Sequence, residues 1–530
     1  MNTKAGQNVP LGWGMKSKPA QSPPQGDNRV LYIHPAKQGL DLPLDDQLAR
    51  PYGLIPVGLA GLVNVLRSNG IFVQGINYSL EKQLNPEFNL RNWLSAQSKT
   101  RVILIDLHWY EHCFGALETA RICKEILPWA WTVLGGLTAT GFSREILENF
   151  KEVDFIIRGD AEKPLLQLVQ NLFDKTSSTE LLASLAEVPN LSYRHSEAIL
   201  ENDLTYTATT ADLDNLDFIN IDFLEHYREY YIHEYVVTNL EAARVALQVK
   251  PYLGKWTCTA RGCKYECSYC GGCKSAHKSL AGRPELVVRS PERVVDDLVQ
   301  LKRSGVNQAL LSYDIAELGD DYVQAFFSNL KSSGLKIGLY NELFQLPKPE
   351  FLHQFFSLTD RNHSCVAISP LSGSERVRRL NGKHFSNSDL FDTLDILNRN
   401  NAYVIVYFSL NLPGEDNQTI QESIELAREI VDFYPSSLLK ILNTAHTLDP
   451  FSPMAEFPEK YGIEISMSTF MDWYNYCQAT KQSDRKARTE LHRGFHFKDA
   501  GARSVEKMAD AWDQERMGKE KSVWPIPPGW

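Results

Sequence analysis

Two series of short apolar runs alternating with amphipathic stretches, one on each side of a cysteine triplet, constrain this chain more than any other feature. The first series has strand-like runs at 30–33, 71–76, 102–106, 131–134 and 153–157. Helical stretches lie between them at 54–66, closed by Ser68-Asn69-Gly70, and at 116–127. The second opens after the cysteines with a helix that starts at Ser290-Pro291-Glu292 and stops at Gly305. Ser290 suits the N-cap and Pro291 the first helical position. Strand-like runs follow at 309–313, 337–340, 366–368, 404–409 and 438–442. Alternation at this spacing yields parallel sheets covered by helices. The expected class is α/β: a Rossmann-like, doubly wound sheet, then a partial (β/α)6 TIM-type barrel, then a helical C-terminal extension. In both architectures ligands bind at the carboxyl ends of the strands.

A chain of 530 residues exceeds the size at which one core keeps growing. We expect a flexible tail at 1–28, an N-terminal domain at 29–175, a connector at 176–250, a barrel core at 251–445 and an extension at 446–530. The tail has no apolar h-region, so it does not read as a signal peptide, and no run has the length of a membrane span. A formal net charge of −10 argues against broad nucleic-acid binding, which needs cations to neutralise phosphates. Nine cysteines, an odd number in a long chain, do not form a secreted disulfide framework. The expected setting is the reducing cytoplasm.

The triplet is Cys263-Lys-Tyr-Glu-Cys267-Ser-Tyr-Cys270, spaced CxxxCxxC. Three thiolates hold three corners of a 4Fe–4S cube and leave the fourth iron open. Structural zinc wants four ligands. Cys258 and Cys273 flank the motif; they read as packed small hydrophobes, with a disulfide partner, a zinc ligand or a catalytic thiol as the alternatives. Only Cys113 and Cys123 lie upstream of Cys258, too few for a second triad.

This spacing is that of the radical S-adenosylmethionine (SAM) superfamily, which residues 30–455 resemble. The resemblance implies a cluster ligated by Cys263, Cys267 and Cys270, with SAM on the open iron. It places Tyr269 beside the SAM adenine; shielding the cluster from water is the simpler role. Ile368-Ser369-Pro370-Leu371-Ser372-Gly373-Ser374-Glu375 resembles the superfamily's SAM-binding segment after the fourth strand, which makes Ser369 and Ser372 the expected contacts. The usual acid is missing there. Phe408-Ser409-Leu410-Asn411-Leu412-Pro413-Gly414-Glu415 resembles the turn after the fifth strand, with Asn411 in place of glycine. Glu342 ends the third strand, aimed at the pocket or salt-bridged at the surface.

The N-terminal series resembles the cobalamin-binding domain that precedes many radical SAM cores. The resemblance rests on Gly135-Gly136-Leu137-Thr138-Ala139-Thr140 and Arg158-Gly159-Asp160-Ala161-Glu162. It implies cobalamin contacts from Gly135, Gly136, Thr138, Arg158 and Gly159, although a glycine pair is by itself a tight turn. The DxHxxG motif that supplies a cobalt-ligating histidine is absent. His34-Pro35-Ala36-Lys37-Gln38-Gly39 lacks it, and Asp106-Leu107-His108 has Glu111 where glycine belongs. Cobalamin is therefore expected without a protein histidine, and His34, His108 and His112 read as hydrogen-bonded or surface residues.

The connector carries a hairpin (191–193, 198–200), an acidic run (212–222) and an aromatic run of Phe223, Tyr227, Tyr230, Tyr231 and Tyr235. Interface packing is the simpler reading of the aromatics; a flat substrate is the other. Residues 482–517 read as a charged, solvated helical face. The tail 524–530 reads as PPII-like.

The family implies a small-molecule substrate, of natural-product or lipid-like kind, and an electron donor such as flavodoxin or ferredoxin. The expected reaction is methylation of an unactivated carbon or a similar centre. Ring contraction or cyclisation is the alternative. A methylthiotransferase and a non-enzymatic Fe–S electron carrier or sensor stand further off.

Overall fold

The computed structural model describes residues 28–37, 54–175, 177–236, 252–479 and 493–498, with 508, 510–512 and 514–515. The tail 1–27, Gln38 and Gly39, most of the charged 482–517 stretch and the 524–530 segment lie outside the described residues.

The first sheet contains β1 (Arg29–His34), β2 (Phe72–Asn77), β3 (Thr100–Asp106), β4 (Trp131–Gly135), β5 (Phe155–Ile157), β6 (Leu191–His195) and β7 (Ala198–Glu201). Their order is β2-β1-β3-β4-β5-β6-β7. The pairs among β1 to β5 are parallel, and β6 and β7 add antiparallel. Alternate residues bury into two separate cores. Leu31, Ile33, Ile103 and Ile105 join one, and Val30, Tyr32, Val102 and Leu104 the other. Both faces are therefore covered, as nearly unbroken apolar strands require.

Two expectations shift here. The hairpin expected in the connector extends the first sheet along β5. The first helix begins at Gly58, not at 54. Pro56 disfavours the helical region for Ile55 before it, so the helix starts beyond the proline. The aromatic run is packing: Phe223, Tyr230 and Tyr231 are buried in the core of the first sheet, and the Tyr235 hydroxyl meets His363 Nδ1 at 2.8 Å.

The second sheet contains β8 (Gly254–Thr257), β11 (Gln308–Leu311), β12 (Gly338–Leu343), β13 (Cys365–Leu371), β14 (Tyr403–Leu410) and β15 (Leu439–Ala445). All its pairs are parallel, in the order β15-β14-β13-β12-β11-β8. Each strand lies beside its predecessor, and β8 and β15 are unclosed edges. The six parallel strands expected of the core are present, in a sheet that does not close. Val366, Ile368, Val404 and Val406 face the surrounding helices, while Leu310, Tyr340, Ala367, Tyr403 and Ile405 line the inside.

Two small ribbons escaped the sequence pattern. One pairs β9 (Ala260–Arg261) with β10 (Val287–Val288). The other pairs β16 (Ile463–Ile465) with β17 (Phe495–Phe497), in an extension expected to lack sheet. Strands of two or three residues carry no readable alternation. Ser290 precedes the helix Pro291–Arg303 but does not cap it; its hydroxyl and amide both go to Asp214. The extension returns to the first sheet: Leu448, Met454, Phe470, Trp473 and Phe495 share a core with Leu31 and Ile103. Among the described residues no helix is long and apolar enough to cross a membrane.

The two sheets meet where β8 starts. A Cβ on Gly254 would lie 2.5 Å from Tyr235 backbone atoms. Gly254→Ala is expected to cost about 1–3 kcal/mol, as overpacking does, and to lower the midpoint of urea unfolding; Gly58→Ala is the control, since its backbone is not in the left-handed region and the added carbon meets only Arg261 Nη2, at 3.6 Å.

Candidate active site

The loop after β8 carries the cysteine triplet at the carboxyl end of the barrel. Cys263, Cys267 and Cys270 are all partly buried and unpaired. The Cys270 amide donates to Cys267 O at 3.2 Å, and the Tyr265 amide points at Cys263 Sγ from 3.4 Å. Burial pushes all three thiols above their ordinary value, so as thiolates they require a bound cation. Among the described residues no three His, Cys, Asp or Glu side chains form a group that holds a single ion. A cube takes one thiolate per iron and three thiolates suffice for three of its corners, whereas structural zinc wants four ligands.

The extension holds this loop in place. Asp449 Oδ2 accepts the Gly271 amide at 2.8 Å, and a Cβ on Gly271 would lie 2.2 Å from Pro450 O. Only glycine allows that approach. The Met454 amide donates to Ser268 O at 2.9 Å. Burial raises the Asp449 carboxyl to about 7. Tyr269 packs on Leu371, Val377 and Leu412 and lies against the His446 ring, with centroids 4.5 Å apart and planes inclined at 33°. His446 Nε2 reaches Ser409 Oγ at 3.1 Å. Burial, with Arg493 beside it, lowers the ring to about 4, so it is neutral at pH 7.

Three non-glycine residues at this mouth adopt the left-handed region: Leu371 (φ 66°), Asn411 (φ 66°) and Phe451 (φ 67°). Asparagine tolerates that conformation, and Asn411 Nδ2 donates to His446 O at 2.8 Å. This explains how it replaces the expected glycine. Leucine tolerates it poorly, and such strain clusters at functional sites.

Ser369 lies half-buried on β13. Ser372 is fully buried, its hydroxyl 3.1 Å from Ser423 Oγ and accepting the Ser374 amide at 3.2 Å. Glu342 is exposed on the inner side of β12 and accepts the Tyr340 hydroxyl at 2.7 Å. Lys383, missed in the sequence, is buried with Nζ donating to Phe344 O at 2.8 Å. Its charge lies within electrostatic reach of Cys267 and Cys263. Cys258 Sγ points at Ala260 O from 3.7 Å, and Cys273 Sγ meets Ser275 Oγ at 3.1 Å. Both therefore have local partners.

A cavity of about 380 Å³ opens between the segment that leads into the triplet loop and the carboxyl ends of β3, β4 and β5; none of the three triplet cysteines lines it. Gly135, Gly136 and Gly159 line it, as do Asp106, His108 and, from the barrel side, Cys258, Ala260, Arg261 and Gly262. Its deeper wall is apolar, formed by Leu59, Leu62, Val133 and Leu165. Thr138 and Arg158 are not in the wall. The Thr138 hydroxyl donates to His108 O at 3.0 Å, and Arg158 donates to Asn202 O. These two residues build loops.

The cavity's rim is a buried charged seam. Arg261 Nη1 lies 2.9 Å from Asp160 Oδ1 and 2.6 Å from Glu162 Oε1, and Arg283 pairs with the same Asp160 oxygen. Burial opposes charge on Asp160, yet Arg261 and Arg283 outweigh it and hold the carboxyl below its ordinary value. Arg261, two positions before Cys263, was the available sequence signal, but nothing in its own sequence neighbourhood points to Asp160.

Residues 257–427 match the Radical SAM superfamily, so the chain carries a radical SAM domain, whose family works with a 4Fe–4S cluster and SAM. Over 323 residues the chain is 25% identical to the anaerobic magnesium-protoporphyrin IX monomethyl ester cyclase of Cereibacter sphaeroides, covering 59% of this chain and 47% of that protein. It is 24% identical to the cyclase of the same name from Rubrivivax gelatinosus, covering 71% and 61%. It is 22% identical to the hopanoid C-3 methylase of Methylococcus capsulatus, covering 48% and 41%. The matches thus span about half the length of these relatives. Among solved structures, the radical SAM methyltransferase TsrM of Kitasatospora setae, with tryptophan and a SAM analogue bound, superposes at a TM-score of 0.63. That match has 13% identity and covers 94% of this chain and 91% of TsrM. TsrM with cobalamin and a 4Fe–4S cluster bound gives 0.57 at 14% identity, over 84% and 81%. The whole two-sheet arrangement is therefore a known fold.

Breaking the seam tests it. Asp160→Asn leaves Arg261 and Arg283 short of a counter-charge and is expected to cost about 3–5 kcal/mol at pH 7. The Asp160 carboxyl titrates lower when folded than its unfolded value of about 3.9. Its contribution is complete above that value and is lost as pH falls through the folded one. Urea titrations should therefore show the gap between wild type and D160N closing below about pH 4.

Proposed function

We propose that the protein is a cobalamin-dependent radical SAM enzyme that methylates an unactivated carbon, or a similarly non-nucleophilic centre, of a small molecule. One observation carries this reading: Cys258 and Ala260 to Gly262, which lead into the cysteine loop, line the same cavity as the Gly135-Gly136 turn, each at the carboxyl end of its own parallel sheet. Ligands bind there in such sheets. The cavity's apolar depth suits a flat, largely apolar cofactor part, and its glycine rim allows close backbone approach. At Gly135 an added Cβ would meet only Ile157 O, at 3.7 Å.

In this reading Cys263, Cys267 and Cys270 hold the cluster. Lys383 offsets its negative charge, and Tyr269 with His446 keeps water from it. Ser369 and the strained turn at Leu371 face SAM; Gly135, Gly136 and Gly159 border cobalamin. Cluster, SAM and cobalamin together supply radical generation and a transferable methyl group. The residues here place these groups and exclude side reactions. Glu342 and the inner tyrosines border the space left for the substrate, a natural-product or lipid-like scaffold. A small flavodoxin or ferredoxin supplies the electron, in the cytoplasm.

Cyclisation is the second reading, because two relatives are cyclases. Product mass separates them: methylation adds one CH₂ and cyclisation does not.

The test is anaerobic reconstitution with iron, sulfide and cobalamin, followed by the visible spectrum and 5′-deoxyadenosine release. Wild type is expected to bind one cluster and one cobalamin and to release 5′-deoxyadenosine. Cys263→Ala, Cys267→Ala and Cys270→Ala should each lose the cluster absorbance and at least about 100-fold of the release, as when a chemical step loses several kcal/mol of support. A protein that takes up the cluster but no cobalamin ends the methyltransferase reading.

A further inference from the structure

We propose that His108 would ligate the cobalt of a bound cobalamin; this rests on the cobalamin reading above. Its backbone is held from two sides. The Thr138 amide and hydroxyl both donate to His108 O, at 3.2 and 3.0 Å. Gly136 (φ 110°) lies so close that an added Cβ would stand 2.7 Å from His108 N and Cα. The second glycine of the turn therefore presses the loop after β3 into place. A metal ligand needs that kind of support.

The side chain suits the role. His108 belongs to the cavity wall, and its ring lies within electrostatic reach of the wall residues Asp106 and Arg261. It touches the Trp109 ring edge-on at 4.9 Å, and among the described residues the imidazole makes no hydrogen bond. Burial favours the neutral form, and Arg261 adds to this against the pull of Asp106. Neutral imidazole is the form that binds metals.

The other histidines nearby are placed differently. His34 is wholly buried, its Nδ1 2.9 Å from Asp106 Oδ1 and its ring against His112 at 5.0 Å. Neither His34 nor His112 is in the cavity wall. His277 is in the wall, on the barrel side, 3.4 Å from an Arg283 nitrogen. The sequence leads one to expect cobalamin without a protein histidine. In this reading the loop after β3 supplies one.

The experiment is continuous-wave EPR of cob(II)alamin bound to the full-length protein, made once at natural abundance and once with ¹⁵N-histidine. The cobalamin stays unlabelled. An axial protein nitrogen splits each cobalt line into three at natural abundance and into two with ¹⁵N. We expect that change, loss of the splitting in His108→Gln with cobalamin still bound on gel filtration, and retention of the splitting in His34→Gln. Unsplit lines in wild type overturn the proposal, as does a three-line pattern that persists with ¹⁵N-histidine, which marks the cofactor's own base as the ligand. Splitting that survives in His108→Gln also overturns it. All three leave the cobalamin reading standing. Failure of wild type to bind cobalamin overturns both.

Discussion

The buried contact of Arg261 with Asp160 and Glu162 is the constraint on which the site's geometry depends. Arg261 lies two residues before Cys263, and Asp160 directly follows Gly159 at the cavity wall. One ion-paired junction thus ties the segment leading into Cys263 to the Gly159 turn. Charges this buried are favourable only when paired and well placed, and the Ala208 amide, donating to Asp160 Oδ2 at 2.7 Å, completes the set. The seam therefore specifies one relative placement of the two sheets, and with it the width of the space between their carboxyl ends.

A second tie comes from the C-terminal extension. It lies on the far face of the first sheet through Phe470 and Trp473 and reaches the cysteine loop through Asp449 and His446. The cysteine loop is thus bordered by three parts of the chain: the second sheet that carries it, the first sheet across the seam and the extension against Tyr269.

The architecture was legible because its carriers are local. Apolar runs such as 102–106 and 404–409 give parallel strands wherever helices flank them, and CxxxCxxC stands out by spacing alone. What stayed hidden depends on chain segments far apart in sequence. Arg261 acquires meaning only beside Asp160, Lys383 only beside Cys267, and Asp449 only beneath Gly271. The hairpin β6–β7 was visible as a hairpin, but which sheet it joins is a tertiary fact. Thr138 and Arg158 carry the motif pattern yet serve the loops. The departures at Asn411 and Leu371 show the same limit: backbone at φ near 66° is invisible until the turn is seen.

The central claim is that the cluster loop and the cobalamin site face one another across a single seam. The most direct measurement is pulsed electron–electron resonance between cob(II)alamin and the reduced cluster in the fully loaded protein. The account predicts a strong, single-valued dipolar coupling between the two spins, weakened or broadened in D160N. Two signals that both appear at full occupancy but show no mutual coupling would contradict it.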